Sequence, residues 1–304
     1  MDLVKKYVLE FLSLIAFVTA FASPNMSGSK VVLVTGGNKG IGQAICRKLL
    51  TDYPDVFVLL GARDQGRGER AVSELASSVP NGKDRISLVQ IDTSSDESVH
   101  SAASSVGQLL KDQGTSLYGI VNNAGIGWGH TYEETMGTNY FGPRRVNDAF
   151  AAFLTRPGGR IVNISSAAGP TFVSRSRDGE LRKLLAEPLT ATIEQVDSIA
   201  KIYKGKADPE DLYGFSKALL NAYTVLYATE CPDLIINSCT PGYIKTDLAP
   251  GGTGSTEKGS ICPIYLLMAK EMENTPTGRY YGSDTKRSPI DRYRGPGDPP
   301  YEGP

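Results

Sequence analysis

A tyrosine and a lysine stand four positions apart in the segment Tyr213–Lys217, which opens a long stretch with helical periodicity. Residues at positions i and i+4 share one face of a helix, so the phenol and the ammonium can point into the same cleft. A phenol has an ordinary pKa of about 10, and a nearby cation favours its ionised form. The pair could therefore exchange a proton with a substrate as a general acid or base.

Two serines could contribute a hydroxyl to the same chemistry. Ser165 and Ser166 directly follow the run Arg160–Ile164, which has the length and composition of a buried strand. In an open α/β sheet, the carboxyl ends of the strands border the crevice where ligands bind. Because side chains alternate along a strand, only one of the two serines can face that crevice, and the periodicity allows either.

A glycine-rich turn offers a place for a phosphorylated ligand. The segment Thr35–Gly42, with the sequence TGGNKGIG, follows the apolar run Val31–Val34 and precedes an amphipathic stretch. Glycines let the backbone approach a pyrophosphate, and the first turn of a helix offers free N–H groups and the positive end of its dipole. The order of strand, glycine turn and helix therefore predicts a dinucleotide site.

The end of the second strand indicates which dinucleotide is bound. Arg63 stands 21 positions after Gly42, where Asp or Glu would suit the ribose 2′-hydroxyl of NAD and a cation would suit a 2′-phosphate. Arg63 and Lys39 together favour NADP(H) over NAD. The alternative is that Arg63 is a surface charge, offset by the neighbouring Asp64.

Short apolar runs alternate with helical patterns between residues 30 and 284. Strand–helix repetition with right-handed crossovers produces a parallel sheet that is covered by helices. The apolar runs are Val31–Val34, Val56–Leu60, Ile86–Ile91, Tyr118–Val121, Arg160–Ile164 and Leu234–Asn237. The sequence therefore predicts an α/β fold: a doubly wound parallel sheet with helices on both faces, forming a single domain over residues 30–284. Residues 285–304, rich in Pro and Gly, are predicted to form a flexible tail.

Charge balance and scarce residue types exclude several classes of function. The 304 residues include 32 Lys+Arg and 33 Asp+Glu, and a net charge of −1 provides no field for binding nucleic acid. The two histidines, His100 and His130, belong to no HExxH motif, so we expect no metal site. The four cysteines form no CxxC pair, which favours a reducing compartment.

The first 29 residues differ in composition from the rest. Lys5 and Lys6 precede the apolar stretch Phe11–Ala22, which resembles a secretory signal or a short membrane anchor. This interpretation predicts the secretory pathway or endoplasmic reticulum, with membrane association through residues 1–29. The alternative is a gene-model extension, with translation starting at Met26 and a cytoplasmic protein.

The glycine spacing in residues 36–42, combined with Tyr213 and Lys217, resembles the short-chain dehydrogenase/reductase family. The resemblance covers nearly all of the predicted domain and implies a Rossmann-like fold that binds NADP(H). It selects Ser166 as the serine that hydrogen-bonds a substrate carbonyl. It also implies that Asn139 holds a water linking Lys217 to solvent.

The resemblance further implies which residues bind the cofactor. They lie in the glycine turn, at the ends of strands, on the catalytic helix and after the sixth strand. The implied residues are Gly36, Asn38, Lys39, Gly40, Ile41, Gly42, Arg63, Asp92, Asn122, Asn123, Ala124, Gly125, Tyr213, Lys217, Pro241, Gly242, Ile244 and Thr246. Residues 247–256, rich in Gly and Thr, are expected to form a mobile lid over the substrate.

A helical insertion narrows the resemblance. Tyr213 lies 47 positions after Ser166, a longer gap than in much of the family, and residues 167–210 have helical, charged patterns. This resembles the carbonyl reductase subgroup, which includes plant menthone and salutaridine reductases. In that subgroup the insertion covers the face that other members use to form dimers and tetramers, which implies a monomer.

The expected reaction is NADPH-dependent reduction of a ketone, aldehyde or quinone to an alcohol. The resemblance makes Tyr213 the general acid, assisted by Lys217, Ser166 and Asn139. Two alternatives stay open: an NADP-dependent dehydrogenase for steroid-type or terpenoid-type alcohols, and a non-catalytic dinucleotide-binding sensor. Trp128, in a loop outside the shared motifs, either stacks on an apolar substrate or packs as a loop aromatic.

Overall fold

The computed structural model describes Met26, residues 28–204 and residues 211–303. Its centre is a sheet with the strand order β3-β2-β1-β4-β5-β6-β7-β8, in which β1 to β7 are parallel and β8 is antiparallel to β7. The strands are β1 (Lys30–Val34), β2 (Val56–Ala62), β3 (Ile86–Gln90), β4 (Leu117–Asn122), β5 (Arg160–Ile164), β6 (Ile235–Cys239), β7 (Arg279–Tyr281) and β8 (Arg287–Ser288).

Helices cover both faces of the sheet. They are α1 (Gly40–Asp52), α2 (Gln65–Ser78), α3 (Asp96–Asp112), α4 (Tyr132–Asn139), α5 (Phe141–Phe150), α6 (Ala168–Arg175), α7 (Gly179–Ala186), α8 (Ile193–Ile202), α9 (Leu212–Glu230) and α10 (Thr256–Met268). Short 3-10 turns occupy Gly82–Asp84, Ala151–Phe153, Pro188–Thr190 and Lys270–Asn274.

The buried strands explain why two hydrophobic layers form. In β1, Val31 and Leu33 pack into one cluster, with α3, α5 and α9, whereas Val32 and Val34 pack into the other, with α1, α2 and α10. A strand that is apolar at every position is typical of a parallel sheet with helices on both sides. The predicted doubly wound fold is confirmed, and its short strands β7 and β8 are additions that the periodicity did not reveal.

The strand order reverses between β1 and β4, where Val34 pairs in register with Val121. Strands on either side of such a point turn their connections in opposite directions and leave a crevice at their carboxyl ends. The glycine turn after β1 and the loop after β4 therefore meet at that crevice.

The described part of the predicted insertion, residues 167–204, contains α6, α7 and α8. Hydrogen bonds fix α8 to neighbouring helices: Tyr140 Oη donates to Asp197 at 2.7 Å, and Arg144 pairs with the same carboxylate. Tyr132 Oη donates to the carbonyl of Ala200 at 2.9 Å. The inserted helix α8 thus packs beside α4 and α5. Residues 205–210 of the predicted insertion lie outside the described residues.

Both ends of the described part of the chain contact the sheet domain. β8 lies inside the segment predicted as a tail, and Arg294 pairs with Asp284 at 2.5 Å. At the other end, Met26 is fully buried and its N–H donates to Gln113 Oε1 at 3.2 Å.

Of the predicted leader, residues 1–25 and Ser27 lie outside the described residues. Within the described ranges, no helix has both the length and the apolar character to cross a bilayer.

Candidate active site

Tyr213 and Lys217 lie on the first turns of α9, a helix that is buried along nearly its whole length between α6 and the sheet. Lys217 Nζ donates to the carbonyl of Ile164, at the end of β5, at 2.9 Å. The same ammonium lies 5.8 Å from the centroid of the Tyr213 ring. The helical spacing therefore brings both side chains to the carboxyl end of β5, as the i, i+4 argument predicted.

Burial dominates the electrostatics of this pair. It lowers the pKa of Lys217 from 10.5 to about 8, because the charged ammonium loses its hydration, while the nearby Cys239 acts in the opposite direction. Burial raises the pKa of Tyr213, and a hydrogen bond with Ser166 partly opposes that rise. The sequence argument instead expected the lysine to lower the pKa of the tyrosine; in the structure, burial is the stronger influence on the phenol.

The two serines after β5 have different partners. Ser165 Oγ donates to the carbonyl of Lys217 at 3.2 Å and is buried against α9. Ser166 Oγ accepts from the N–H of Ala168 at 3.2 Å, and it lies close enough to the phenol of Tyr213 to lower the pKa of that group. Ser166 is therefore the hydroxyl that shares the crevice with the tyrosine.

Asn139, the last residue of α4, uses its side chain to hold two other elements. Its Oδ1 accepts from the N–H of Ile126 at 2.9 Å, and its Nδ2 donates to the Ile126 carbonyl at 3.0 Å and to Ser216 Oγ at 3.1 Å. Ser216 Oγ in turn donates to the carbonyl of Tyr213 at 2.7 Å. The side chain thus connects the loop after β4 to α9.

Ser216 was missed in the sequence analysis. Its only signal is its place between Tyr213 and Lys217, where any residue fits the spacing.

A Cβ placed on Gly125 would lie 3.3 Å from Asn139 Oδ1 and 3.7 Å from Lys217 Nζ. The loop after β4 therefore borders the same crevice as the tyrosine and the lysine.

The glycine turn has the backbone geometry that its sequence implies. Gly36 and Gly40 have φ values of +63° and +58°, in the left-handed region that favours glycine. A Cβ on Gly42 would lie 2.3 Å from the carbonyl oxygen of Gly36 and 2.4 Å from Asn123 Nδ2. These close approaches allow α1 to begin at Gly40 and direct its N-terminus at the crevice.

The loop after β4 fixes the shape of that turn. Asn123 Nδ2 donates to the carbonyls of Thr35 and Gly36, at 2.9 and 3.2 Å. Thr35 Oγ1 accepts from the N–H groups of Asn123 and Ala124, at 3.0 and 3.1 Å. Thr35 is a second residue that sequence reasoning missed, because its partners lie almost ninety positions away.

Asn122 occupies a different position from the other implied cofactor contacts. It is buried, and its amide donates to Asn147 Oδ1 at 2.8 Å and to Asn163 Oδ1 at 2.9 Å. Asn163 continues the network to Thr224 on α9 at 2.9 Å. Asn122 therefore braces β4, β5 and α5 beneath the crevice.

The two cations predicted at the adenosine end are exposed and lie beside carboxylates. Lys39 Nζ pairs with Asp247 at 2.7 Å, and Arg63 lies 3.9 Å from Asp92. Asp64, which could have offset Arg63, instead caps α2 by accepting from the N–H of Arg67 at 2.7 Å, and this bond is the main reason that its pKa is lowered. Because Asp64 caps the helix, the carboxylate that lies beside Arg63 is that of Asp92.

The segment after β6 lies against the glycine turn. A Cβ on Gly40 would contact Thr246 Cγ2 at 3.5 Å, and one on Gly259 would contact both Ile41 and Ile244, at 3.1 and 2.9 Å. Gly242 takes a positive φ of +93°. Of the residues implied after this strand, Ile244 and Thr246 thus border the turn directly, and the lid residue Asp247 is joined to it through Lys39.

Within the described residues, no group of three or more His, Cys, Asp or Glu side chains is placed to hold a metal ion. The polar chemistry of the crevice rests on the phenol, the ammonium, one hydroxyl and backbone N–H groups.

Known proteins resemble this chain in sequence. A family model described as short chain dehydrogenase matches residues 30–176. Carbonyl reductase (NADPH) 3 of Mus musculus is 30% identical over 276 residues, covering 83% of this chain and 96% of that protein. The (+)-neomenthol dehydrogenase of Arabidopsis thaliana is also 30% identical, over 291 residues that cover 83% of this chain and 95% of that protein.

The fold agrees with these sequence matches. The structure of salutaridine reductase from Papaver somniferum superimposes with a TM-score of 0.72 at 25% identity, covering 83% of this chain and 99% of that one. Its fold, the glycine turn and relatives matched over nearly their whole length confirm the resemblance seen in the motifs. The chain belongs to the short-chain dehydrogenase/reductase family.

Proposed function

We propose that the protein reduces a ketone, aldehyde or quinone to an alcohol with NADPH. The observation that carries this proposal is the grouping of Tyr213, Ser166 and Lys217 at the end of β5, beside the glycine turn. The mouse relative is named as an NADPH carbonyl reductase, which supports the same activity.

The residues of the crevice fit a dinucleotide phosphate. The glycine turn presents the N-terminus of α1, and Lys39 and Arg63, with side chains 63% and 71% exposed, offer charge for a 2′-phosphate. Bound there, NADPH would supply the hydride. Asp92 and the loop around Asn123 would complete the pocket around the ribose and adenine groups.

Side chains of the protein would supply the proton for the reduction. Ser166 and Tyr213 would both hydrogen-bond the carbonyl oxygen, and the proton on Tyr213 Oη would pass to that oxygen as the alcohol forms. The ammonium of Lys217 would stabilise the phenolate that is left. Asn139 and Ser216 hold the loop after β4 against α9 and so keep these groups in place.

A carbonyl screen tests the proposal. Loss of NADPH absorbance would be followed with a panel of ketones, aldehydes and quinones, and each reaction would be repeated with NADH. Turnover of at least one class with NADPH is expected. Cofactor binding without turnover of any carbonyl, unchanged by Tyr213→Phe, would instead support a dinucleotide sensor.

A second candidate is the NADP-dependent oxidation of a terpenoid-type or steroid-type alcohol. The observation that favours it is the name of the Arabidopsis relative, a neomenthol dehydrogenase. Measuring both directions at neutral pH, with alcohols and NADP⁺ and with ketones and NADPH, separates the two. If kcat/KM is larger for the alcohols than for the ketones, the dehydrogenase proposal would replace the reductase proposal.

Removing the two exposed cations is expected to shift the cofactor preference. The double variant Lys39→Ala, Arg63→Asp should lower the ratio of kcat/KM for NADPH to that for NADH on the order of a hundredfold, because two charge-assisted contacts with the 2′-phosphate are lost. Lys48→Ala provides a control, since Lys48 is partly exposed and also paired with an aspartate, at 2.5 Å. An unchanged ratio in the double variant would remove these residues from the cofactor site.

The inserted helices support a monomer. Asp197 on α8 binds Tyr140 and Arg144, so this inserted helix occupies space beside α4 and α5 that a second chain would otherwise approach. Light scattering during size-exclusion chromatography should therefore give the mass of a single chain. A mass near twice that value across the micromolar range would contradict this expectation.

A further inference from the structure

Trp128, in the loop between β4 and α4, lies directly on the catalytic tyrosine. The ring centroids of Trp128 and Tyr213 are 4.5 Å apart, with an angle of 43° between the ring planes. Trp128 is 53% exposed, whereas Tyr213 is only 6% exposed. The indole therefore covers part of the phenol and still presents much of its own surface to solvent beside the reacting hydroxyl.

Neighbouring contacts fix the loop that carries Trp128. The backbone of Ile126 is held on both its N–H and its carbonyl by Asn139. A Cβ on Gly127 would lie 3.0 Å from the carbonyl oxygen of Leu248 and 3.1 Å from Leu248 Cγ, so the lid packs against this loop. The loop that carries Trp128 is thus held by α4 through Asn139 and lies against the lid residue Leu248.

The exposed indole has a clear chemical preference. Aromatic rings associate with other flat rings in offset-stacked or tilted pairs, which contribute beyond the burial of apolar area. A planar conjugated carbonyl can lie along the indole while its oxygen reaches Tyr213 and Ser166. A saturated ring of similar size presents axial hydrogens to the same surface and loses that contact.

We propose that Trp128 is the specificity-determining wall of the substrate site, and that it selects carbonyls conjugated to a flat apolar ring: aryl ketones, aromatic aldehydes or quinones. This inference rests on the proposed reductase function, and it names the substrate class that the crevice prefers. It assigns a functional role to the one tryptophan in the sequence.

A pair of ketones matched in size provides the test. Phenyl methyl ketone and cyclohexyl methyl ketone differ in planarity, and the ratio of their kcat/KM values reports the preference. Trp128→Ala and Trp128→Leu are expected to lower this ratio about tenfold, or about 1.4 kcal/mol. Trp128→Phe, which keeps a ring, should hold the ratio within about twofold. Tyr293→Ala, which removes another exposed aromatic, should leave the ratio unchanged.

Binding measured without turnover separates this inference from the proposed function. In the Tyr213→Phe background, calorimetry of the NADPH complex should give tighter binding of the phenyl ketone, and adding Trp128→Leu should abolish the difference. Selective binding without any wild-type turnover would overturn the proposed reductase function and support the role of Trp128 in substrate selection. If the wild type turns over the ketones but Trp128→Ala and Trp128→Leu leave the ratio of their kcat/KM values unchanged, the role of Trp128 is overturned. The proposed reductase function is then supported. Unfolding midpoints within a few degrees of wild type would show that the variants fold.

Discussion

Replacing Tyr213 with phenylalanine is expected to lower kcat for carbonyl reduction about a thousandfold while NADPH binding stays within a few-fold. Phenylalanine keeps the ring that packs under Trp128 and removes only the hydroxyl that Ser166 contacts. A positioned general acid typically contributes about 10² to 10⁴ in rate. Single-turnover kinetics and titration of NADPH fluorescence measure the two quantities separately.

Tyr227→Phe is the matched control for this variant. Tyr227 is also buried on α9, but it stacks on Tyr223, away from the crevice. Its replacement should leave kcat within about twofold, because the hydroxyl that it removes lies outside the crevice and the buried ring is kept. If Tyr213→Phe kept more than a tenth of the wild-type kcat, the tyrosine would not be the proton donor.

Replacing Lys217 with methionine is expected to remove activity and to stabilise the protein. The loss of an ammonium that stabilises the phenolate should cost on the order of a hundredfold or more in kcat. The folded protein holds this group with a pKa of about 8 instead of 10.5, a difference worth about 3 kcal/mol of destabilisation at pH 7. Methionine avoids that cost but leaves the Ile164 carbonyl without its donor, so a net gain of about 2 kcal/mol in the free energy of unfolding is expected.

The pH dependence has a definite sign. Because the folded-state pKa of Lys217 is lowered, the unfolded chain binds more protons between pH 8 and pH 10.5, and the stability of the wild type relative to Lys217→Met rises with pH across that window. Below pH 8 the difference is constant. The kcat/KM of the wild type for reduction should fall above pH 8, as the ammonium is lost.

Urea unfolding of both proteins at pH 7, 9 and 10 measures the stability difference. Lys201→Met, at an exposed position on α8, is the control and should show no dependence of this kind. A Lys217→Met protein that is less stable than wild type at pH 7 would show that the buried ammonium is fully compensated by its surroundings.

Local patterns predicted the parts of the site that depend on short stretches of chain. The glycine turn could be recognised because strand, turn and helix adjoin in sequence, and the helical spacing of Tyr213 and Lys217 placed both on one face. The exposed cation Arg63 was found from its distance along the chain to the turn. In each case the residues that determine the geometry lie within about twenty positions of one another.

Contacts between distant segments could not be predicted in this way. Ser165 is excluded from the crevice only by its bond to the Lys217 carbonyl, and Trp128 meets Tyr213 across a gap of more than eighty positions. The structural use of Asn139 likewise depends on a loop and a helix that meet only in the folded chain. Periodicity carries no information about which distant groups become neighbours.

The buried side chain of Met26 has a practical consequence for anyone trimming the protein. Although β1 begins at Lys30, Met26 has no exposed surface and belongs to the same hydrophobic layer as Val31, Leu33 and Leu117. Emptying a buried methionine site typically costs about 2 to 5 kcal/mol. An expression boundary drawn at the first strand would therefore yield a weakened enzyme, and a recombinant protein for crystallography or screening should retain residue 26.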